Sequence, residues 1–354
     1  MTTLGDTMAA MLMDAYANPA RRNVFYSGSG RATASERLNG LPHWDWWPWP
    51  VRGVEGGGTT LFPLSLGCSP RLTSEGREWI APCIDEPSRA RALRMPDIYE
   101  GRTGAVLRNL QQAAAETPPC RQIGCVDVQS PLGIAELMWD ESFYLALIEA
   151  PAAVHTLLDN ITEFLIAFLR EYQRLAGERL MPVAWPPIWA SGLGTMIADD
   201  TMSLVSPAMH AEFSLPYLNR IADACGPIYY HSCTWRKSYF DNIHQIRNVA
   251  AYNWNPGNSD DSAIIMREFA GKAILAPHVV INMHKDNDVL ALNHHPPFSD
   301  EAAFMEYLID AVPSNGCAYF AFTNMVEKKQ QIEKIYDLFN KRGWSPAKRL
   351  ATNA

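Results

Sequence analysis

The sequence predicts an α/β protein whose main body is a closed (β/α)8 barrel. Its 354 residues, 47% of them hydrophobic, suffice either for one large α/β barrel or for two ordinary domains. From residue 122 onwards, short apolar runs typical of strands alternate with amphipathic stretches typical of helices, which indicates βα units and a parallel sheet. About seven or eight such units in roughly 250 residues favour a closed barrel over an open doubly wound sheet.

The predicted barrel domain covers residues 101–354. Its strands are predicted at 122–128, 181–185, 195–198, 228–230, 249–253, 273–276 and 317–322. Its helices are predicted at 152–176, 208–224, 237–247, 262–270, 299–311 and 328–342. No glycine-rich phosphate-binding loop opens these helices, so the sequence gives little support for nucleotide binding.

Residues 1–100 are predicted to form an N-terminal extension that packs on the barrel. Helical spacing of apolar residues predicts a helix over 1–24, and alternation predicts a β-hairpin with strands at 60–66 and 77–81. A further helix is predicted at 99–116. Between the first helix and the hairpin lies a cluster of aromatic residues, interpreted as a hydrophobic lid or homodimer contact, or else as a substrate-stacking wall: Trp44, Trp46, Trp47 and Trp49.

Composition narrows the classes of partner. The net charge of −8 and the lack of any basic run argue against nucleic acid and anionic membranes and favour a small molecule. No secretory signal is evident and no apolar run reaches the ~18 residues of a membrane span, so a cytoplasmic location is predicted. An odd number of dispersed cysteines predicts reduced thiols that are free to bind metal: Cys68, Cys83, Cys120, Cys125, Cys225, Cys233 and Cys317.

The segment 226–233 predicts a metal site. It is a short apolar strand that ends in His231 and Cys233, and side chains two apart on a strand point to the same side. Imidazole and thiolate are ligands that zinc prefers, and a catalytic zinc usually takes three protein ligands and keeps a fourth position open. Cys317, near the start of the last predicted strand, is the candidate for the third ligand.

Other polar residues also follow predicted strands, where barrel enzymes carry their chemistry. Asp199 and Asp200 are candidate catalytic residues, and one of them, with Asp199 slightly ahead, is predicted to position substrate or to hydrogen-bond His231. A solvated turn or a helix N-cap is the alternative. Candidate substrate-binding residues end two further strands: Asp127, Gln129, Asn253 and Trp254.

The order of several motifs resembles the uroporphyrinogen decarboxylase-like superfamily, and within it the zinc-dependent corrinoid:thiol methyltransferases. The motifs are 129–133 (Gln-Ser-Pro-Leu-Gly), 138–141 (Met-Trp-Asp-Glu), 149–152 (Glu-Ala-Pro-Ala), 198–207, 212–216, 231–233 (His-Ser-Cys) and 316–317 (Gly-Cys). The resemblance implies a barrel fold and zinc held by His231, Cys233 and Cys317. It also implies a methyl group that passes from a corrinoid protein to a thiol such as coenzyme M.

The sequence departs from the family pattern in two places. The arginine-rich signature by which the decarboxylases bind substrate carboxylates is missing between residues 20 and 60. The strand after the His-x-Cys pair often ends in an acidic residue in these relatives, whereas here it reads Ala-Tyr-Asn-Trp-Asn at 251–255. The first departure lowers the decarboxylase interpretation, and the second leaves the fourth zinc ligand open.

Three hypotheses for function follow. The first is a zinc-dependent methyltransferase with a thiol acceptor, served by a separate corrinoid protein. The second is a metal-free decarboxylase or lyase that acts on a tetrapyrrole-like or small carboxylic acid. The third is a non-catalytic subunit that binds a corrinoid protein at the barrel mouth.

Overall fold

A computed structural model of the chain describes residues 24–29, 51–117, 122–181, 194–279, 298–316 and 318–323, with isolated helical positions between 330 and 342. Several predictions lie outside the described residues: the helix before residue 24, the tryptophan cluster before residue 50, Cys317 and most of the helix at 328–342.

The described chain contains eleven strands, most of which pair in parallel. In chain order they are β1 (Val24–Ser29), β2 (Val51–Arg52), β3 (Ser69–Leu72), β4 (Glu78–Ala81), β5 (Gln122–Gly124), β6 (Leu180–Met181), β7 (Thr195–Ala198), β8 (Ile228–Ser232), β9 (Val249–Trp254), β10 (Ile274–Val279) and β11 (Ala318–Thr323). One sheet has the order β1-β11-β10-β9-β8-β7 and a second the order β2-β5-β6, with every neighbouring pair parallel. Only β3 and β4, among the strands described, pair as an antiparallel hairpin.

Helices separate most of these strands. They are α1 (Leu61–Ser65), α2 (Pro87–Ala92), α3 (Gly101–Glu116), α4 (Pro131–Met138), α5 (Phe143–Glu149), α6 (Pro151–Ala176), α7 (Pro207–Phe213), α8 (Leu215–Cys225), α9 (Phe240–His244), α10 (Ser262–Phe269) and α11 (Glu301–Ala311). Short 3-10 turns occur at Gly177–Arg179, Asp200–Leu204 and Lys237–Tyr239.

The alternation of parallel strands and helices confirms the predicted (β/α)8 barrel class. The two sheets touch where Gln129 bridges Ala198, and the Ser130 N–H donates to the Ala198 carbonyl oxygen at 2.7 Å. No ladder joins β1 to β2 or β6 to β7 within the described ranges, so a closed ring of hydrogen bonds is not observed there.

The register of β7, β8 and β9 decides which side chains meet at the site. Ala198 of β7 lies opposite His231 of β8, and His231 lies opposite Asn253 of β9. Because these strands are parallel, their carboxyl ends reach the same edge of the sheet. The residues that end β8 and β9, and those that follow β7, are therefore brought together.

Helix α6 is the longest described helix and packs against α2, α3, α4, α5 and α8. Its buried residues recur at helical spacing, and Gly177 (φ 59) ends it in a conformation that favours glycine. By length and composition the segment Pro151–Arg179 could cross a bilayer, but 56% of its most apolar window is buried inside the protein. The predicted cytoplasmic location stays a prediction.

The N-terminal part departs from prediction in one element. The run at 60–66 was expected to be a strand, but Leu61–Ser65 is helical, because Leu61, Phe62 and Leu64 turn into the core while Gly67 (φ 106) ends the turn. The hairpin is instead made by β3 and β4. Both β1 and β2, which precede residue 100, belong to the parallel sheets, and the domain boundary at 100/101 stays a prediction.

The helix predicted at 208–224 is divided into α7 and α8 at Ser214. Pro216 has no backbone N–H to donate, so the helical hydrogen-bond pattern is interrupted there. The break frees Ser214 to turn its hydroxyl toward the end of β7.

Candidate metal centre

Strand β8 ends in two potential metal ligands that point the same way. Ile228–Ser232 is buried along its whole length, and His231 is 7% exposed. The His231 Nε2 atom lies 3.3 Å from the Cys233 Sγ atom. The convergence expected from side chains two apart is therefore present in the structure.

Asp200 completes a cluster of three potential ligands. It follows β7, which is tied to β8 by the hydrogen bond from the Asp199 N–H to the His231 carbonyl oxygen at 2.7 Å. Asp200 Oδ1 lies 3.6 Å from His231 Nε2 and accepts a 2.6 Å hydrogen bond from the Cys233 N–H. The ligand atoms of Asp200, His231 and Cys233 all lie within 4.8 Å of one another.

These separations fit a single zinc ion. Ligands at Zn–N and Zn–S bonds of about 2.0 to 2.3 Å in a tetrahedron lie roughly 3.3 to 3.7 Å apart. The distances of 3.3 Å and 3.6 Å from His231 Nε2 fall in that range without any movement of the side chains. The donor set of one imidazole, one thiol and one carboxylate is also one that zinc accepts. Cys317, the third ligand predicted from the sequence, is outside the described residues.

Asn253 fixes the orientation of the His231 ring. Its side-chain Nδ2 donates to the Ala276 carbonyl oxygen, which leaves Oδ1 to accept from His231 Nδ1. A hydrogen on Nδ1 places the lone pair of the neutral ring on Nε2, the atom that faces Cys233 and Asp200. Asn253 was predicted to bind substrate, but in the structure it supports a potential ligand.

The surroundings of the Cys233 thiol disfavour its thiolate form. Burial, and then the negative charge of Asp200, raises its pKa to about 12, and Asp127 adds to the same effect. A bound divalent cation reverses this electrostatic balance, because a coordinated thiol loses its proton.

Asp199 lies behind this cluster in a buried polar network. Its carboxylate is 0% exposed and accepts hydrogen bonds from His210 Nε2 at 2.9 Å, Tyr230 Oη at 3.1 Å and Ser214 Oγ at 3.1 Å. Asn242 lies 3.2 Å from the other ring nitrogen of His210. Asp199 therefore faces the protein interior, whereas Asp200 faces the open side.

A cavity of about 580 Å³ opens beside the metal cluster. His231, Cys233 and Asp200 line one part of it. The other lining residues come from the segment before α1, the hairpin, the segment after β5, α4, β7 and the 3-10 turn that follows β7: Thr59, Trp79, Asp127, Gln129, Gly133, Glu136, Leu137, Met196, Ala198, Thr201, Ser203 and Leu204. The volume suits a small-molecule substrate.

Comparison with known proteins identifies the family to which the chain belongs. The profile of the uroporphyrinogen decarboxylase (URO-D) family matches residues 59–266, more than half of the chain. The chain belongs to the URO-D family. The matched range includes all of the described residues that line the cavity, Asp200, His231 and Cys233 among them.

One curated protein and one solved structure illustrate the similarity. Uroporphyrinogen decarboxylase from Xanthomonas axonopodis pv. citri (strain 306) is 40% identical over 73 residues, which are 21% of this chain and 16% of that protein. A solved methyltransferase from Methanosarcina mazei has a TM-score of 0.64 at 13% identity, over 97% of this chain and 100% of the other. At 13% identity this likeness shows the fold alone.

Two predicted substrate residues of this URO-D chain line the cavity. Asp127 and Gln129 both face it, and Gln129 Nε2 donates to Asp127 Oδ1 at 3.2 Å. Trp254, the fourth predicted substrate residue, is fully buried and does not line the cavity. Its ring packs against Trp235 and its Nε1 donates to Ser262 Oγ at 3.1 Å, which places it in the core.

Several residues that shape the cavity or hold Asp199 were not predicted from the sequence. Trp79 and Glu136 line the cavity from the hairpin and from α4, and His210 and Ser214 hold Asp199. His210 follows the paired aspartates by about three helical turns in a segment that predicts an amphipathic helix. A buried histidine in such a helix is the one signal that could have suggested a partner for Asp199.

Proposed function

We propose that the chain is a zinc-dependent methyltransferase that moves a methyl group from a corrinoid protein, or a similar activated donor, to a zinc-activated thiol. The observation that carries the proposal is the meeting of Asp200, His231 and Cys233 in the lining of one cavity. The shared fold with a solved methyltransferase supports the reaction class.

His231 and Cys233 would hold the ion, with Cys317 as the third ligand proposed from the sequence. Asp200 is a further donor at the same place. When bound, zinc lowers the pKa of a coordinated thiol and so makes it a nucleophile near neutral pH. Asn253 Oδ1 accepts a hydrogen bond from the Nδ1–H of His231, which keeps the Nε2 lone pair directed at the ion site.

The residues across the cavity would orient the acceptor. Asp127, held by Thr59 at 2.7 Å and by Gln129, offers a fixed acceptor for a hydroxyl or amine of the substrate. Leu137 and Met196 add apolar surface to the cavity lining. A fixed orientation of the acceptor is the contribution that this chain's own residues would make to transfer.

Metal analysis tests this proposal. We expect about one zinc per chain in the purified protein, and a loss of most of it in Cys233→Ser and in Cys317→Ser. Cys225→Ser is the matched control, because Cys225 is buried in α8 away from the cavity and should leave the zinc content unchanged.

Activity is measured with free methylcobalamin as donor and a small thiol as acceptor, following the loss of the cobalt–methyl absorbance. Wild-type protein is expected to transfer the methyl group and Cys233→Ser is not. A protein that transfers methyl groups equally well with and without bound zinc would overturn the proposal.

Decarboxylation is the second candidate, favoured by the URO-D family match. Its substrate carries several carboxylates, and the described lining of the cavity contains Asp127, Glu136 and Asp200 without a lysine or arginine to bind them. A zinc-free protein that loses activity on an organic acid in Asp200→Asn would favour this candidate over transfer. The corrinoid-binding subunit without turnover would instead bind a corrinoid protein tightly and transfer nothing.

A further inference from the structure

The cavity beside the metal cluster is acidic. Besides Asp200, it is lined by Asp127 and Glu136, while none of its described lining residues is a lysine or arginine. Glu136 is half-buried and accepts from the Tyr144 hydroxyl at 3.3 Å. In the described part of the chain, neutral hydroxyl and amide groups donate to Asp127 and Glu136, and no basic side chain pairs with either.

Several carboxylates elsewhere on the molecule, by contrast, form ion pairs with arginine. On the surface, Arg102 pairs with Glu78, Arg220 with Asp159 and Arg342 with Asp310. Inside the cavity burial raises the pKa of Glu136, with no cation to offset it within the described residues. Such a cavity attracts a ligand with positive charge and repels an anionic one.

The side chain of Trp79 lines the same cavity. Trp79 lies on β4, which packs against the helix that carries Glu136, and its side chain lines the cavity with Leu137. Arg71, opposite Trp79 in the hairpin, is exposed and does not line the cavity. Trp79 and Glu136 line the same cavity, and an indole ring and a carboxylate are the groups that bind methylated ammonium, since the ring attracts the cation and the methyl groups make apolar contact.

We infer that the cavity takes a substrate with a positively charged, methylated ammonium group, held between the Trp79 ring and the Glu136 carboxylate. The inference rests on the proposed function, because it takes this cavity as the place where substrate meets the metal cluster. It names the class of that substrate by charge and shape.

Binding of three probes of equal size tests the inference. The cationic probe is choline, the uncharged probe is the alcohol in which a tert-butyl group replaces the trimethylammonium group, and the anionic probe is the carboxylate of tert-butylacetic acid. Each is titrated into the full chain by calorimetry, with zinc bound and after chelation. Choline is expected to bind about tenfold more tightly than the isostere, which is the range of one good cation–π contact. The anionic probe is expected to bind more weakly than both.

Two variants locate the binding groups. Glu136→Gln and Trp79→Leu are each expected to lower choline affinity about tenfold. Glu136→Gln should leave affinity for the uncharged isostere unchanged. The matched controls are Glu149→Gln, an exposed glutamate on α5, and Leu72→Ala, an exposed side chain on the same hairpin.

Equal affinity for choline and the isostere, tighter binding of the anionic probe, or no measurable choline binding would each overturn the inference. If Glu136→Gln fails to fold, the probe series on wild-type protein and on Trp79→Leu still decides it. Zinc content is measured on the same samples, so a protein without zinc that still selects choline would sink the proposed function and leave the charge selectivity standing.

Discussion

Two neighbouring carboxylates at the end of β7 have opposite surroundings. Asp199 is fully buried and accepts hydrogen bonds from three side chains, whereas the Asp200 side chain is 41% exposed and faces the cavity and the potential zinc ligands. The chain direction at a strand end sends successive side chains to opposite sides. An Asp-Asp pair there can place one carboxylate in the framework and the other in the site.

The framework carboxylate connects several elements. His210 comes from α7, Ser214 from the junction of α7 and α8, and Tyr230 from β8, and all three reach Asp199. These contacts hold the 3-10 turn Asp200–Leu204, and thereby Asp200, against the end of β8. The comparison predicts that changes at Asp199 affect stability and changes at Asp200 affect metal binding.

Asp199→Asn is expected to have the largest effect. It replaces a buried charged acceptor by an amide that cannot accept from His210, Ser214 and Tyr230 together, and each lost hydrogen bond to a charged group costs about 1.5 to 3 kcal/mol. We expect a loss of about 3 kcal/mol or more in the free energy of unfolding, measured by urea denaturation of the zinc-free protein.

Acid denaturation is the second measurement on this variant. Burial acts to raise the pKa of Asp199, but the hydrogen bond and charge of His210, helped by Ser130 and Ser214, outweigh it and hold the pKa below its ordinary value of 3.8. A lowered pKa contributes stability above about pH 4 that is lost as the pH falls through the folded-state pKa. Wild-type protein should therefore lose this stability below about pH 4, and Asp199→Asn should lack that acid-dependent part. A change of less than about 1 kcal/mol on substitution would contradict the framework role.

Asp200→Asn is expected to act on the metal and not on the fold. The amide oxygen can still accept from the Cys233 N–H, but the charge beside the ion is gone. Because even residues behind a ligand change metal affinity 10- to 100-fold, we expect a loss of about 100-fold, measured by zinc competition with a chelator. Since the side chain is 41% exposed, the unfolding free energy should change by about 0.5 kcal/mol or less. Unchanged zinc affinity would remove Asp200 from the ligand set.

The sequence predicted the strands of this site well, because β7, β8 and β9 are apolar runs with glycine, proline or polar residues at their ends. Alternation along β8 predicted that His231 and Cys233 converge. The same rule, applied to β9, separates Asn253 from Trp254, since adjacent residues on a strand face opposite sides. Trp254 therefore lies in the core while Asn253 reaches His231.

Other features depend on contacts distant in sequence and could not be predicted from local patterns. His210, Ser214 and Tyr230, three partners of Asp199, lie 11 to 31 residues further along the chain, on α7, at the junction of α7 and α8, and on β8. Their convergence is set by how α7 and α8 pack, which periodicity does not specify. The helix at Leu61–Ser65 was missed for the opposite reason, since five residues are too few for helical and strand periods to be told apart.

Asn253→Ala sharpens the comparison from the metal side, with an expected loss of about tenfold in zinc affinity. The substitution removes the acceptor that keeps His231 Nδ1 protonated and Nε2 directed at the ion site. Asn253→Asp restores the acceptor for His231 Nδ1 but loses the donor to the Ala276 carbonyl oxygen, so it should recover part of the affinity, which a purely structural role would not predict. Asn258→Ala, at an exposed position beyond β9, is the control. Equal zinc affinity in the alanine and aspartate variants would exclude this role.

Tyr230→Phe is expected to have a smaller effect on stability than Asp199→Asn, and it tests the framework side alone. Its hydroxyl donates to Asp199 Oδ2 at 3.1 Å, and a hydrogen bond to a charged group contributes about 1.5 to 3 kcal/mol. Because His210 and Ser214 remain as donors to the same carboxylate, the loss in unfolding free energy should lie near the lower figure, with zinc affinity unchanged. Tyr99→Phe, which removes an exposed hydroxyl from a surface contact with Glu171, should leave the unfolding midpoint where it is. A Tyr230→Phe protein that keeps its stability but loses zinc would mean that the two carboxylates are not separable, because a framework contact would then be acting on the metal directly.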